Sequence, residues 1–199
     1  MCVWIKFYSH KQIPSDSFSP PLARVLLYHL SFGFSMDLIE LAKYHRWANE
    51  RTRSILSELS NEEFTRDLVP PLGSIQNHVF HTMIAVYYKI HQRVMIDEQD
   101  YRDIMDRWGA LSVEELMDEW RRVDESLIGF AENPDVEIAK FPNFLGEGEM
   151  TVDHTGFFFQ YLLHSTYHRS QIMSALRMMD KEGIGTDFLL YLSYLECIK

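Results

Sequence analysis

Four long stretches of this chain repeat apolar residues at the period of an α-helix, and breaks separate them. The first runs from about Asp37 to Leu59, with Leu38, Leu41, His45, Ala48, Thr52, Ile55 and Leu59 on one face. The second starts after Pro70-Pro71-Leu72-Gly73, is capped by Ser74 and reaches about Val94, with Ile75, His78, Val79, Thr82, Val86 and Ile90 as its stripe. The third follows a capping box at Ser112-Val113-Glu114-Glu115, carries Met117, Trp120, Val123 and Leu127, and stops before Asn133-Pro134. The fourth runs from about Val152 to Met179, where Gly183 and Gly185 are expected to end it. Each stripe must be buried against the others, so the expected fold is all-α, a four-helix bundle. Residues 136–151 read as a loop or short hairpin, a long connection before the last long helix. Residues 97–110 read as partly helical, and Phe188 to Cys197 as a short C-terminal helix.

The N-terminal residues 1–35 read differently. Pro14, Pro20 and Pro21 lie among serines and no period is sustained. An extension over 1–35 and a domain over 36–199 are expected, with Met36 as the start of the domain. The apolar run Leu22 to Phe34 is interrupted by Arg24 and His29 and has no small-residue cleavage site, so it is not read as a signal peptide. No stretch reaches transmembrane length without charge. A net charge of −10 argues against a nucleic-acid surface, which needs clustered Lys and Arg. Cys2 and Cys197 form neither a metal nor a disulfide spacing, which suits a reducing cytoplasm.

His164 and His168 lie one turn apart on the apolar stripe Phe157, Tyr161, His164, His168, Ile172, Ala175 and Met179. Positions i and i+4 are about 40° apart around a helix, so two such imidazoles can share an ion. Nine histidines in 199 residues give roughly 0.4 such pairs by chance. On spacing alone, two core histidines satisfied by hydrogen bonds remain the more ordinary reading. His78 and His45 add core-facing histidines from two further helices, which chance supplies less readily. Facing helices of a bundle are a known support for a metal, and three neutral imidazoles leave an ion an open position. His10, His29 and His91 read as surface residues, and His154 is weakly placed.

The chain from about Asp37 to Lys181 resembles the DinB/YfiT-like family of four-helix-bundle metalloenzymes. Three segments carry the resemblance: Tyr44-His45-Arg46-Trp47-Ala48-Asn49, Ser74-Ile75-Gln76-Asn77-His78, and His164-Ser165-Thr166-Tyr167-His168-Arg169-Ser170-Gln171. The last is similar to the family's His-x-x-x-His-Arg-Gly-Gln, with Ser170 in place of Gly. The resemblance implies one divalent metal ion per chain, zinc or nickel, held by His78, His164 and His168. His45, Asn49, His81, Arg169 and Gln171 are read as residues of the pocket or behind the ligands, Tyr44 as a further partner behind the ligands, and Trp47 as core packing. Nitrogen ligands do not choose between those ions. The activity implied is a metal-dependent transferase that activates a low-molecular-weight thiol toward an electrophile. A hydrolase in which the ion activates water is the alternative, and so is a non-catalytic bundle that binds metal for stability or dimerises. The expected partners are a small-molecule substrate and a second copy of the chain, not nucleic acid or a membrane. The family's link to DNA damage concerns regulation, a stress-response setting.

Overall fold

The computed structural model describes residues 37–68, 73–92, 98–132, 139–143 and 145–198. The expected extension and boundary at residue 36, the residues Pro70-Pro71-Leu72, Val94 and Asn133-Pro134, and the histidines His10 and His29 lie outside them. So does the side chain of His91. Seven helices and one hairpin are found among the described residues: α1 (Leu38–Leu56), α2 (Asn61–Thr65), α3 (Ile75–Gln92), α4 (Glu98–Gly109), α5 (Val113–Glu132), β1 (Ala139–Pro142), β2 (Glu149–Val152), α6 (His154–Met178) and α7 (Phe188–Cys197). None of these helices is long and apolar enough to cross a membrane.

The helix starts follow the side chains that can satisfy free backbone N–H groups. Asp37 accepts from Glu40 N at 2.8 Å, and Ser74 Oγ from Asn77 N at 3.2 Å. Ser60 with Glu63 and Ser112 with Glu115 form reciprocal capping boxes. Asp153 accepts from Gly156 N at 2.7 Å, so α6 begins at His154, not at Val152. Its end also differs from expectation. Asp180 takes φ 58°, Asp180 N donates to Arg177 O, and Lys181 N reaches back to Leu176 O at 2.9 Å. That is the reverse turn a glycine usually makes, built here around an aspartate ahead of Gly183 and Gly185.

α1, α3, α5 and α6 form the expected bundle. α1 packs mainly on α5 and α6, and α3 on the same two helices, so the order around the bundle is α1, α5, α3, α6. α5 and α6 therefore stand across a diagonal, and the chain between them must cross one end of the bundle. That explains the long connection. Its hairpin pairs Ala139 with Val152 through Pro142 with Glu149. Gly148, at φ 87°, makes the turn that lets Asn143 N reach Gly148 O at 2.9 Å. Phe141 fastens the hairpin to Phe157 of α6, ring centroids 6.1 Å apart.

The core holds Leu56, Phe64, Ile75, Val79, Met83, Leu116, Met117, Trp120, Leu127, Phe158, Ile172 and Leu176, all almost fully buried. Each contributes about 1.5–3 kcal/mol by leaving water. α4 lies outside the four-helix ring but inserts Trp108, fully buried against Phe80 and Tyr87. α7 closes on α1, where Tyr44 and Trp47 meet Phe188, Tyr191 and Tyr194. Trp47 is thus packing material for α7.

One inner face departs from its expected composition. Leu41 and Ile55 of α1 are only partly buried, while His45, Asn49, Thr52 and Arg53 are completely buried. Asn49, Thr52 and Arg53 hydrogen-bond within the bundle, as does His45 through Nε2, which is what permits a polar stripe to face inward.

Candidate metal centre

α3 and α6 bring four imidazoles together: His78 and His81 from the first turns of α3, His164 and His168 from the middle of α6. Helical spacing does the positioning. His164 and His168 stack one turn apart with ring centroids at 4.5 Å. His81 faces both, at 5.0 Å from His164 and 4.6 Å from His168.

The nitrogens matter more than the rings. His168 Nε2 lies 3.2 Å from His164 Nε2. Two nitrogens on one tetrahedral ion, with bonds near 2.0–2.1 Å, stand about 3.3 Å apart. The other nitrogen of His168, Nδ1, lies 3.2 Å from His78 Nδ1. One imidazole cannot turn both nitrogens to one ion, so His78 and His164 occupy opposite edges of His168. The three residues that can each offer a ligand atom to a common point are His81, His164 and His168, with those atoms all within 4.8 Å of one another. The expected set differs from this group in one member, His78 in place of His81. Both project from the same wall of α3, three residues apart, which spacing along a helix does not resolve.

The electrostatics suit a cation. Burial is the main reason that the His168 pKa falls, to about 3, and the neighbouring His81, His164 and His78 push it further down. Gln171, three residues on, works in the opposite direction through its side-chain amide. Burial and then His78 lower the His81 pKa too. His168 and His81 are therefore neutral near pH 7 and present lone pairs, as ligation requires. His168 is buried while His81 and His164 are half-buried, so the cluster opens toward the surface along one edge.

The other expected pocket residues form a separate buried cluster. Asn49 sits at its centre. Its amide nitrogen meets Asp124 Oδ1 at 2.8 Å and His45 Nε2 at 2.9 Å, and its carbonyl accepts from Arg169 Nη1 at 2.9 Å. Arg53 donates to the other Asp124 oxygen. Arg169 Nη2 also donates to Thr166 Oγ1 at 2.8 Å. Burial lowers the His45 pKa, with Asp124 working against it, so His45 is neutral. His45 and Asn49 join α1 to α5 and, through Arg169, to α6. Sequence reasoning missed Asp124 and Arg53. The available signal was their spacing: Arg53 follows Asn49 by four residues on α1, and Asp124 follows Trp120 by four on α5. His154 lies away from the cluster, its ring 4.4 Å from Phe130.

A helical bundle with neutral imidazoles converging from two facing helices is the arrangement of a metal-binding bundle. Residues 32–196 match the DinB family, and the chain belongs to it. No curated protein matches the chain.

Proposed function

We propose that this chain holds one divalent metal ion, zinc or nickel, through His81, His164 and His168, and uses it to activate a low-molecular-weight thiol for transfer to an electrophile. The observation that carries the reading is the convergence of these three imidazoles at a half-open edge of the bundle. The donor set fits: three borderline nitrogen ligands, with no thiolate or carboxylate in the group. When bound, such an ion supplies Lewis-acid chemistry that lowers the pKa of a thiol or water beside it.

The chain's own residues set the conditions. His168 turns Nε2 toward His164; with that nitrogen given to an ion, its proton would sit on Nδ1 and be donated to His78 Nδ1. His78 would then carry its own proton on Nε2. That hydrogen bond fixes the tautomer and plane of His168, the usual task of a group behind a metal-bound histidine. Arg169, the next residue, ties α6 to Asn49 and thereby to α1 and α5.

The hydrolase reading shares every residue and differs only in what is activated. Cobalt loading separates the two. Addition of small thiols to the cobalt-substituted protein is expected to produce a sulfur-to-cobalt charge-transfer band. An unchanged spectrum at saturating thiol removes the transferase reading and leaves the hydrolase or a non-catalytic metal-stabilised bundle.

A further inference from the structure

α1 turns a second stripe toward α5 and α7. Lys43, Arg46, Trp47, Glu50 and Arg53 follow one another on it at helical spacing. Arg121 and Glu125 of α5 and Tyr191 and Tyr194 of α7 complete the walls of a cleft of about 460 Å³. That volume is in the range of small-molecule sites. The cleft lies at the α1–α5 edge, across the bundle from the α3–α6 edge that carries the imidazoles.

One wall is aromatic. Trp47 meets Tyr191 at 5.4 Å and Tyr194 at 6.0 Å between ring centroids, and the planes of Tyr191 and Tyr194 are 27° apart. Trp47 is half-buried and Tyr194 is 44% exposed, so both keep surface for a further ring. The Tyr191 hydroxyl senses the cations beside it: burial and Glu40 raise its pKa, and Lys43 and Arg46 oppose them.

The charges sort into two groups. Four cations and two carboxylates line the cleft, in a chain of net charge −10. The inner cations are committed. Arg53 donates to the buried Asp124 and to Glu50, and Arg121 donates to Glu50 and Asp118. The outer cations keep capacity. Lys43 gives one donor to Glu40 at 2.6 Å, and Arg46 gives one to Glu125 at 2.9 Å, out of the three and five that these groups carry. Exposed pairs of this kind are weak, so a ligand anion can share or replace those partners at small cost.

We infer that this cleft binds a small flat organic anion, an aromatic ring bearing a carboxylate or phosphate, with the ring against Trp47 and Tyr194 and the anionic group on Lys43 and Arg46. A cationic ligand would meet four positive side chains, and an anion without a ring would forgo the aromatic wall. The site needs no bound ion and stands apart from the reading of the histidines.

Calorimetric titration of the full chain with 2-naphthoate and with 2-naphthyl phosphate tests this. At least one should bind with a Kd of about 1 mM or tighter, and the tighter of the two names the anionic group. 2-Naphthalenemethanol keeps the ring without the charge, and cyclohexanecarboxylate keeps the charge without the ring. Each should bind about 10-fold more weakly or worse. Arg46→Gln should weaken the tighter probe about 10-fold. Glu125→Gln, which releases Arg46, should tighten it about 2- to 5-fold. Both side chains are well exposed, so neither change threatens the fold. Arg66→Gln, an equal loss of charge outside the cleft, should leave the Kd unchanged, and so should treatment with a chelator. Failure of both naphthyl anions to bind overturns the inference. So does a Kd indifferent to Arg46→Gln, or cyclohexanecarboxylate bound as tightly as 2-naphthoate. Binding lost on chelation overturns it too, since it would put the probe at the histidines.

Discussion

Asp124 and His168 are buried to similar depth, 1% and 8% exposed, and each is the centre of a polar cluster inside the same bundle. The two clusters are built differently. Around Asp124 opposite charges face each other: Arg53 and Asn49 donate to its oxygens, and Arg169 closes the group through Asn49. Around His168 there is no counter-charge among the described groups, only imidazole nitrogens from His78, His81 and His164. The first arrangement pairs its charges within the bundle. The second gathers lone pairs toward a common point at a half-open edge. Burial of polar groups therefore does not mark a site; what matters is whether the groups pair with one another or converge on a common point.

The largest expected effect breaks the charge-paired cluster. Asp124→Ala leaves Arg53 with Glu50 as its one remaining carboxylate partner and the buried Arg169 without the nearby charge, and should cost about 3–5 kcal/mol in urea unfolding. The folded fraction should still take up metal. If Asp124→Ala is nearly neutral for stability, the cluster is solvated and the contrast fails.

Next comes the imidazole wall, where the expected loss is conditional on the ion. His168→Ala should abolish metal uptake, measured by elemental analysis. With free ion at 100 times Kd, wild type should gain about 2.7 kcal/mol over its chelator-treated form, and His168→Ala should gain nothing. A variant that gains as much as wild type would place the ion elsewhere.

How much of this could be read from the residues depended on what each pattern encodes. Ser74, Ser112 and Asp37 announce helix starts because capping is local. Met117, Trp120, Val123 and Leu127 announce an inner face because apolar residues have no competing reason to lie at that period. The α1 face was only half legible. Leu41 and Ile55 read as core and are half-buried, while Arg53 is fully buried because Asp124, 71 residues away, meets it. A buried charge is explained only by its partner, and no single-helix pattern names that partner. The same holds between His78 and His81. Both lie on the α3 wall, and only the orientation of the His168 ring, which depends on the packing of α6, shows which of them can meet its Nε2 edge. The order α1, α5, α3, α6 was hinted at by the long connection and no more.

A smaller effect separates the clusters by pH. Burial lowers the His45 pKa below its ordinary 6.5, so the unfolded chain takes up a proton near that pH that the native chain refuses. This contribution to stability is complete above about pH 6.5 and declines as the pH falls below it. His45→Asn should flatten part of that acid-side slope in the metal-free protein, measured by chemical unfolding at several pH values. A slope as steep as in wild type would mean that His45 is protonated in the fold.

The smallest effect marks the outer limit of the Asp124 cluster. Arg46 and Glu125 bridge α1 and α5 at 2.9 Å, but both are well exposed. Arg46→Ala should cost less than about 1 kcal/mol. A loss as large as that of Asp124→Ala would show that the polar network extends to the surface.

The central claim is that His81, His164 and His168 hold the ion while His78 orients His168 from behind. Calorimetric titration of chelator-stripped wild type, His81→Ala and His78→Ala with a divalent ion tests it most directly. Wild type is expected to bind about one ion per chain. His78→Ala should keep that stoichiometry with affinity reduced about 10–100-fold, as loss of a supporting hydrogen bond does. His81→Ala should show no such binding. Full binding by His81→Ala together with none by His78→Ala would contradict the account and give the third ligand position to His78.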